Sequence, residues 1–305
     1  MQLAKLIAHL FVYFHSTQSF SIKAPTYFAE NNADISNSSA VEVVVNNAIT
    51  HLQETENQKS STNPEEIGVH IEGDIVQNTK LFSKNGVVSK TYRWPYGVIP
   101  YEIAGSFNQH DLEIIHYAIL NFHLKTCVRF IPRRYNETDY ILINNEKSGC
   151  WSYVGRQGGR QRLNLESPIC LINPGTAIHE LMHVLGFFHE QNRQERDSFV
   201  KILYENIREG LQNNFRRRSR TAAFNVPYDY ASIMHYSSTA FSHNGQPTIV
   251  AKQPEYNNIM GQRYGLSSLD IVKINRMYNC YGDLRAEEKP TTVAESTPLS
   301  ILKPE

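Results

Sequence analysis

The sequence predicts an α+β fold for residues 85–281, with a mixed sheet and two long helices first and a more irregular second half. Two observations predict it. Short runs rich in β-branched and aromatic residues alternate with stretches in which apolar residues recur at helical spacing. Histidines that share one face of the second long helix also indicate a metal ion between the two halves.

The first residues, 1–19, are typical of a secretory signal. Lys5 supplies the positive charge, Leu6–Phe14 the apolar core, and small or polar residues follow up to Ser19. This apolar core, interrupted by His9, is too short to cross a bilayer. We therefore expect a secreted, extracellular protein without a membrane span.

Composition divides the rest of the chain. Residues 20–84 are polar and poor in aromatic residues, so they cannot bury much core, and the tail over 282–305 is predicted to be disordered for the same reason. All four cysteines and both tryptophans lie between them, in the predicted domain at 85–281. The formal net charge is zero, which argues against a nucleic-acid partner or an anionic membrane.

The first half of the domain contains the clearest secondary-structure patterns. Leu112, Ile115, Ile119 and Phe122 recur at helical spacing and predict a helix over 109–125. Three short apolar runs predict strands, at Val128–Ile131, Tyr140–Ile143 and Arg162–Leu165.

The later helices are predicted from start signals and spacing. Asn173 before Pro174 is a good helix start, with an N-cap side chain followed by proline at the first helical position. Two more helices are predicted, near 197–213 and over 267–278.

The most specific motif lies on the helix that begins at Pro174. His179 and His183 are four residues apart, so their imidazoles share a helix face and can bind one metal ion, whereas Glu180 points about a quarter-turn away. His189 would lie on the wrong side of a continued helix, so the chain must turn at Gly186. Three imidazoles leave a fourth position open, which is typical of a catalytic zinc site. The alternative, a surface helix with ordinary histidines, is disfavoured by the full spacing.

The cysteines leave their pairing open. Four cysteines in a secreted chain suggest two disulfides with three possible connectivities. A zinc–cysteine cluster is disfavoured because the chain has no Cys-x-x-Cys pair.

Two surface features carry alternatives. The basic run Arg216–Arg220 is interpreted as a solvated loop, with a processing site as the alternative. The sequons at Asn37 and Asn136 are potential glycosylation sites.

The run from His179 to Asp197 resembles the signature of the astacin family of secreted zinc endopeptidases, within the metzincins. The resemblance extends past the third histidine through Glu190, Arg193 and Arg196, and departs at Glu195, where the family usually has aspartate. It implies two subdomains that flank an active-site cleft, one bound Zn²⁺, and the minimal form with signal peptide, propeptide and catalytic domain.

The same resemblance assigns roles elsewhere in the domain. Ser232–Tyr236 is similar to the family's methionine turn, which would make Met234 an apolar floor under the zinc and Tyr236 a switchable oxyanion-stabilising residue. Trp94–Tyr101 and Cys150–Arg156 resemble the domain's start and the strand above the cleft. The resemblance implies the disulfides Cys127–Cys280 and Cys150–Cys170.

The segment 20–84 is similar to the family's inhibitory propeptide. Ile71–Ile75 matches its inhibitory motif, so Asp74 is expected to occupy the zinc's open position, although on its own it would be interpreted as a turn residue. Activation by a trypsin-like protease is expected after Lys84, and the new ammonium group of Asn85 is expected to pair with Glu190.

The resemblance therefore implies a latent endopeptidase that hydrolyses proteins or peptides, with Glu180 as the general base. Arg263 is a candidate for binding acidic P1′ residues, and an exposed loop arginine is the alternative. A catalytically silent secreted zinc-binding module is the rival function. It is disfavoured because the three histidines, Glu180 and Tyr236 are all present.

Overall fold

The computed structural model describes residues 63–76, 90–218 and 223–281. The predictions for the signal at 1–19, Asn37, the cleavage between Lys84 and Asn85, and the tail at 282–305 lie outside these ranges. None of the helices within them is both long and apolar enough to cross a membrane.

A six-stranded mixed sheet forms the first half of the fold. Its strands are β1 (Ile75–Val76), β2 (Val98–Ile103), β3 (Arg129–Pro132), β4 (Tyr140–Asn144), β5 (Cys150–Tyr153) and β6 (Arg160–Leu165). They lie in the order β1-β5-β6-β4-β2-β3, and only the β5–β6 pair is antiparallel. The three strands predicted from apolar runs are present, each shifted or extended by one or two residues.

Three α-helices have side-chain caps that explain where they begin. They are α1 (Gln109–Lys125), α2 (Pro174–Leu185) and α3 (Ser268–Met277). Asn108 and Ser267 each form a capping box with the aspartate three residues later. The bounds of α1 match the prediction, and those of α3 differ from it by one residue at each end.

The helix predicted near 197–213 is wrong. This segment contains the strand β7 (Val200–Ile202) between short 3-10 turns, and β7 pairs antiparallel with β8 (Ile249–Ala251). Its branched side chains favour extended structure once a partner strand is available, and Gly210, at φ 82°, is incompatible with a continuing helix. A pattern within the segment cannot reveal a partner strand that lies far along the chain.

Two apolar cores lie on either side of the histidine cluster. The first is formed by the large sheet with α1 and α2, and includes Met234. The second surrounds β7 and β8 and includes Tyr236. The ring of Tyr236 lies 4.6 Å from that of His189, centroid to centroid, and Ile233 of the first core binds His179. The cluster is therefore positioned where the two halves meet.

Two disulfides close the domain. One joins Cys127, just before β3, to Cys280, just after α3, and encloses 153 residues. The second joins Cys150 on β5 to Cys170 ahead of α2 and encloses 20 residues. These are the two pairs that the resemblance implies.

Candidate metal centre and active site

Helix α2 positions the first two histidines, and a turn brings in the third. The Asn173 side chain accepts from the Gly175 N–H at 3.0 Å, and Pro174 occupies the first helical position. The helix ends at Gly186, which has φ 114° and donates its N–H to the carbonyl oxygen of His183 at 2.8 Å. The predicted turn at this glycine is confirmed, and it directs His189 back toward the helix.

Four buried side chains converge on one point. They are Asp74, His179, His183 and His189, and their candidate ligand atoms all lie within 4.8 Å of one another. Oδ2 of Asp74 lies 3.0, 3.4 and 3.2 Å from the Nε2 atoms of the three histidines, in chain order. The carboxylate that sequence analysis assigned to the propeptide thus lies among the three predicted ligands.

The outward ring nitrogens show which atoms are free to bind a metal. Nδ1 of His179 lies 2.8 Å from the Ile233 carbonyl oxygen, and Nδ1 of His183 lies 2.7 Å from that of Phe187. A carbonyl oxygen can only accept, so these Nδ1 atoms carry the hydrogens and the Nε2 lone pairs point inward.

These inward atoms fit a zinc ion. Asp74 Oδ1 and His183 Nε2 make no hydrogen bond within the described ranges, and Nε2 atoms of His179 and His189 face each other at 3.3 Å. A cation would satisfy these buried lone pairs and the carboxylate, and three imidazoles with one carboxylate are a donor set that zinc accepts. The residues present therefore fit the metal that the motif predicts.

Glu180 lies beside this cluster with its carboxylate unused. The side chain is fully buried, and neither carboxylate oxygen has a hydrogen-bond partner within the described ranges. Burial, together with the nearby carboxylates of Asp74 and Glu65, raises the pKa of Glu180 well above its ordinary value. A buried carboxylate without partners is costly, and such groups are typical of sites that await a reactant.

Tyr236 and Met234 lie close to the third histidine. The Tyr236 hydroxyl donates to the carbonyl oxygen of Glu72 at 2.5 Å, so in this structure it is engaged by a residue that precedes the predicted domain. Burial raises the pKa of Tyr236, which keeps the hydroxyl protonated as a donor. Met234 is buried in the first core, and its carbonyl oxygen accepts from the Glu190 N–H at 3.0 Å.

The segment Asn63–Val76 lies across the site. Ile75 and Val76 form β1, which pairs parallel with Ser152 and Tyr153 of β5. Gly73, at φ 89°, makes the turn before Asp74, and a Cβ at this position would lie 2.6 Å from the carbonyl oxygen of Glu65. Glycine is therefore needed here both for its backbone conformation and for the close approach.

Comparison with known proteins agrees with this geometry. A sequence model of the peptidase family described as Astacin matches residues 86–279. The chain belongs to the astacin family. The α+β prediction is confirmed by the observed fold and by its match to the solved structure of a hatching enzyme from Oryzias latipes.

Three astacin-family relatives show the extent of the similarity. The chain is 43% identical over 215 residues to zinc metalloproteinase nas-8 of Steinernema carpocapsae, covering 69% of this chain and 51% of that protein. It is 40% identical over 216 residues to human meprin A subunit beta, covering 70% and 30%. The structure of high choriolytic enzyme 1, a hatching enzyme zinc-protease from Oryzias latipes, matches with a TM-score of 0.58 and 42% identity, covering 63% and 96%. The chain spans about half the length of the first curated relatives it matches.

Arg263 is buried in this astacin domain, so the alternative of an exposed loop arginine is wrong. Its guanidinium binds the carboxylate of Glu65, and both side chains are at most 5% exposed. The neighbouring Glu66 accepts from the N–H and the hydroxyl of Ser237, each at 2.6 Å. Sequence analysis missed both glutamates, and the only available signal was an acidic pair after a proline, Pro64.

Glu190 is the centre of a buried charge cluster. Its Oε2 lies 2.7 Å from Lys273 Nζ and its Oε1 lies 2.7 Å from Arg193 Nη1, and Oε1 also accepts from the Asp229 N–H. Burial raises the pKa of Glu190, but the two cations outweigh it and hold the pKa below its ordinary value. The predicted partner, the ammonium group of Asn85, lies outside the described ranges, and that pairing stays a prediction.

The remaining surface predictions have mixed outcomes. Asn136 is exposed in a turn, a position accessible to glycosylation. Within the basic run, Arg217 is 53% exposed and pairs with Asp197, as expected of a solvated loop. Arg218 differs, because it is only 25% exposed and pairs with Glu72 of the segment Asn63–Val76.

Proposed function

We propose that this chain is the latent precursor of a secreted zinc-dependent endopeptidase that hydrolyses proteins or peptides. The observation that supports it best is Asp74, whose carboxylate lies among three convergent imidazoles beside the unpartnered carboxylate of Glu180. A carboxylate at this position excludes the water and the carbonyl group that the chemistry requires. Removal of residues 20–84 by a trypsin-like protease, after Lys84, would open the site.

In this proposal His179, His183 and His189 hold one zinc ion. Zinc, when bound there, would supply Lewis-acid chemistry, namely polarisation of the scissile carbonyl and a pKa of about 7 for an attacking water. The carbonyl groups of Ile233 and Phe187 orient two of the three imidazoles through their Nδ1 hydrogens.

Glu180 acts as the general base. Its carboxylate takes a proton from the attacking water and delivers it to the nitrogen of the leaving amine. Once Asp74 has left, one of the negative charges that raise the pKa of Glu180 is removed, which favours the ionised form that a base requires. Tyr236, released from the carbonyl oxygen of Glu72, donates its hydroxyl to the developing oxyanion.

Arg263 is assigned the recognition of an acidic P1′ side chain. The support is that its buried guanidinium already binds a carboxylate, that of Glu65 in the inhibitory segment. Charge-assisted pairs of this kind are strong and geometrically specific. Cleavage of a peptide library by the wild type and by Arg263→Ala should show the acidic P1′ preference only in the wild type.

The decisive experiment compares the wild type with Glu180→Ala before and after brief trypsin treatment. Both chains should bind one zinc per chain, and only the trypsin-treated wild type should cleave casein. N-terminal sequencing should place the new terminus at Asn85. Equal proteolysis by wild type and Glu180→Ala would contradict the role of Glu180 as the general base. Zinc binding without proteolysis by either chain would favour the catalytically silent module.

A further inference from the structure

One arginine of the basic run lies within the cleft and not in solvent. Nε of Arg218 donates to Oε1 of Glu72 at 2.5 Å, and its Nη2 binds the same oxygen. The other carboxylate oxygen of Glu72, Oε2, lies 2.8 Å from Nδ1 of His189. A carboxylate of the inhibitory segment is thus held between an arginine and the outer nitrogen of a predicted zinc ligand.

The parts of this pocket that bind the carboxylate belong to the catalytic domain. The Arg218 guanidinium lies 3.9 Å above the ring centroid of Phe188. The backbone N–H of Arg218 donates to the carbonyl oxygen of Asn192 at 2.8 Å. Cation–π stacking and a backbone hydrogen bond fix the arginine independently of Glu72. The pocket would therefore keep its shape after residues 20–84 are removed.

Removal of the inhibitory segment leaves this pocket without its anion. Within the described ranges, Arg218 has no carboxylate partner other than Glu72. Within these ranges, Nδ1 of His189 likewise has no hydrogen-bond partner other than Glu72. The Nδ1 atoms of His179 and His183, in contrast, bind carbonyl groups of the domain itself. An incoming carboxylate would therefore gain a charge-assisted bond to the arginine and would also orient the third imidazole.

We propose that Arg218, with Phe188 and Asn192, forms a subsite that binds an acidic side chain of the substrate next to His189. This inference rests on the proposed peptidase function and adds a second acidic preference, separate from the pocket of Arg263. Glu72 is two residues from Asp74, whose carboxylate lies among the three predicted zinc ligands. The acidic residue is accordingly expected within about two positions of the scissile bond.

Paired peptides test the preference directly. Each pair is acetylated and amidated, so that a side chain is the only carboxylate, and carries Glu or Gln at one position from P3 to P3′. At one position besides P1′, the trypsin-activated wild type should cleave the Glu peptide at least about tenfold faster than its Gln partner. A hydrogen bond to a charged group stabilises binding by enough to give this ratio. Arg218→Gln should lose this ratio, and Arg218→Glu with a Lys peptide should restore a preference of the opposite sign.

The adjacent Arg217 provides a matched control. Arg217 pairs with Asp197 at the surface, so Arg217→Gln should keep the Glu-to-Gln ratio of the wild type. Arg263→Ala should change the ratio at P1′ alone. If Arg218→Gln keeps the wild-type ratio at every position, the subsite is wrong.

A binding measurement separates failure of this inference from failure of the proposed function. A labelled peptide spanning Asn63–Val76 and its Glu72→Gln form are titrated against the activated chain, with anisotropy as the readout. The Glu72 peptide should bind about tenfold more tightly to the wild type and to Arg217→Gln, with no such difference for Arg218→Gln. If the binding difference is found but no peptide is cleaved, the anion subsite is supported and the peptidase function is contradicted. Equal binding of both peptides to the wild type would overturn the subsite.

Discussion

Replacing Lys273 with methionine tests whether the charge cluster around Glu190 stabilises the domain. The two side chains are 5% and 3% exposed, and Nζ lies 2.7 Å from Oε2. Removing one partner of a buried ion pair costs about 3–5 kcal/mol because the other charge is left uncompensated. Arg193 still neutralises part of the charge on the Glu190 carboxylate, so we expect a loss at the lower end of this range, about 3 kcal/mol. In a domain of this size that corresponds to a fall in Tm of roughly 6–12 °C.

The assay is thermal unfolding of the intact zinc-loaded chain at pH 7.5, followed by circular dichroism. Lys201→Met is the matched control, because Lys201 lies exposed on β7 and its loss should change Tm by little. The pKa of Glu190 is held below its ordinary 4.5, so the stabilisation is present above that pH and is lost as the pH falls through the folded-state pKa. The difference between wild type and Lys273→Met should therefore narrow below about pH 4.5. A Tm difference at pH 7.5 no larger than that of the control would refute the reasoning.

Three further predictions concern pH, the turn and the long disulfide. Burial, together with the neighbouring carboxylate of Asp270, raises the pKa of Asp229 to about 6. The wild type should therefore lose stability as the pH rises from about 4 through 6. Asp229→Asn should flatten this pH dependence when Tm is measured against pH. Gly186→Ala, at φ 114°, should cost about 1–2 kcal/mol and displace His189, which a chelator competition would detect as weaker zinc binding. Replacing Cys127 and Cys280 with alanine opens a 153-residue loop and should cost about 5 kcal/mol in denaturant unfolding, against about 3 kcal/mol for the second disulfide.

Local sequence signals predicted the elements that depend on local interactions. The helix α1 has the predicted bounds because a capping box at Asn108 and a periodic apolar face act within one segment. The turn at Gly186 was predictable for a similar reason, since the spacing to His189 is incompatible with a continuing helix. The second half was less predictable because β7 and β8 are three residues each and stabilise one another across a long separation.

The sequence did not reveal which residues pair with the charged side chains in and around the site. Lys273 lies on α3 in an ordinary helical pattern, and nothing in that pattern indicates that its ammonium group binds Glu190. Arg218 belongs to a basic run that is typical of a solvated loop, yet its neighbour Arg217 is the one that fits this interpretation. Long-range pairing depends on the folded topology, which short motifs do not encode.

The segment Asn63–Val76 contacts the domain through charges as well as through backbone pairing. The four carboxylates of residues 63–76 all contact the domain: Glu65 binds Arg263, Glu66 accepts from Ser237, Glu72 binds Arg218, and Asp74 lies among the histidines. The contacts of Glu65 and Glu66 involve none of the three histidines, so the segment has anchors that do not depend on zinc. The cleft that the segment leaves behind would carry two arginines and a metal ion without their anions. Under the proposed function, a protein segment that replaced it would be bound most favourably if it supplied carboxylates at the same places.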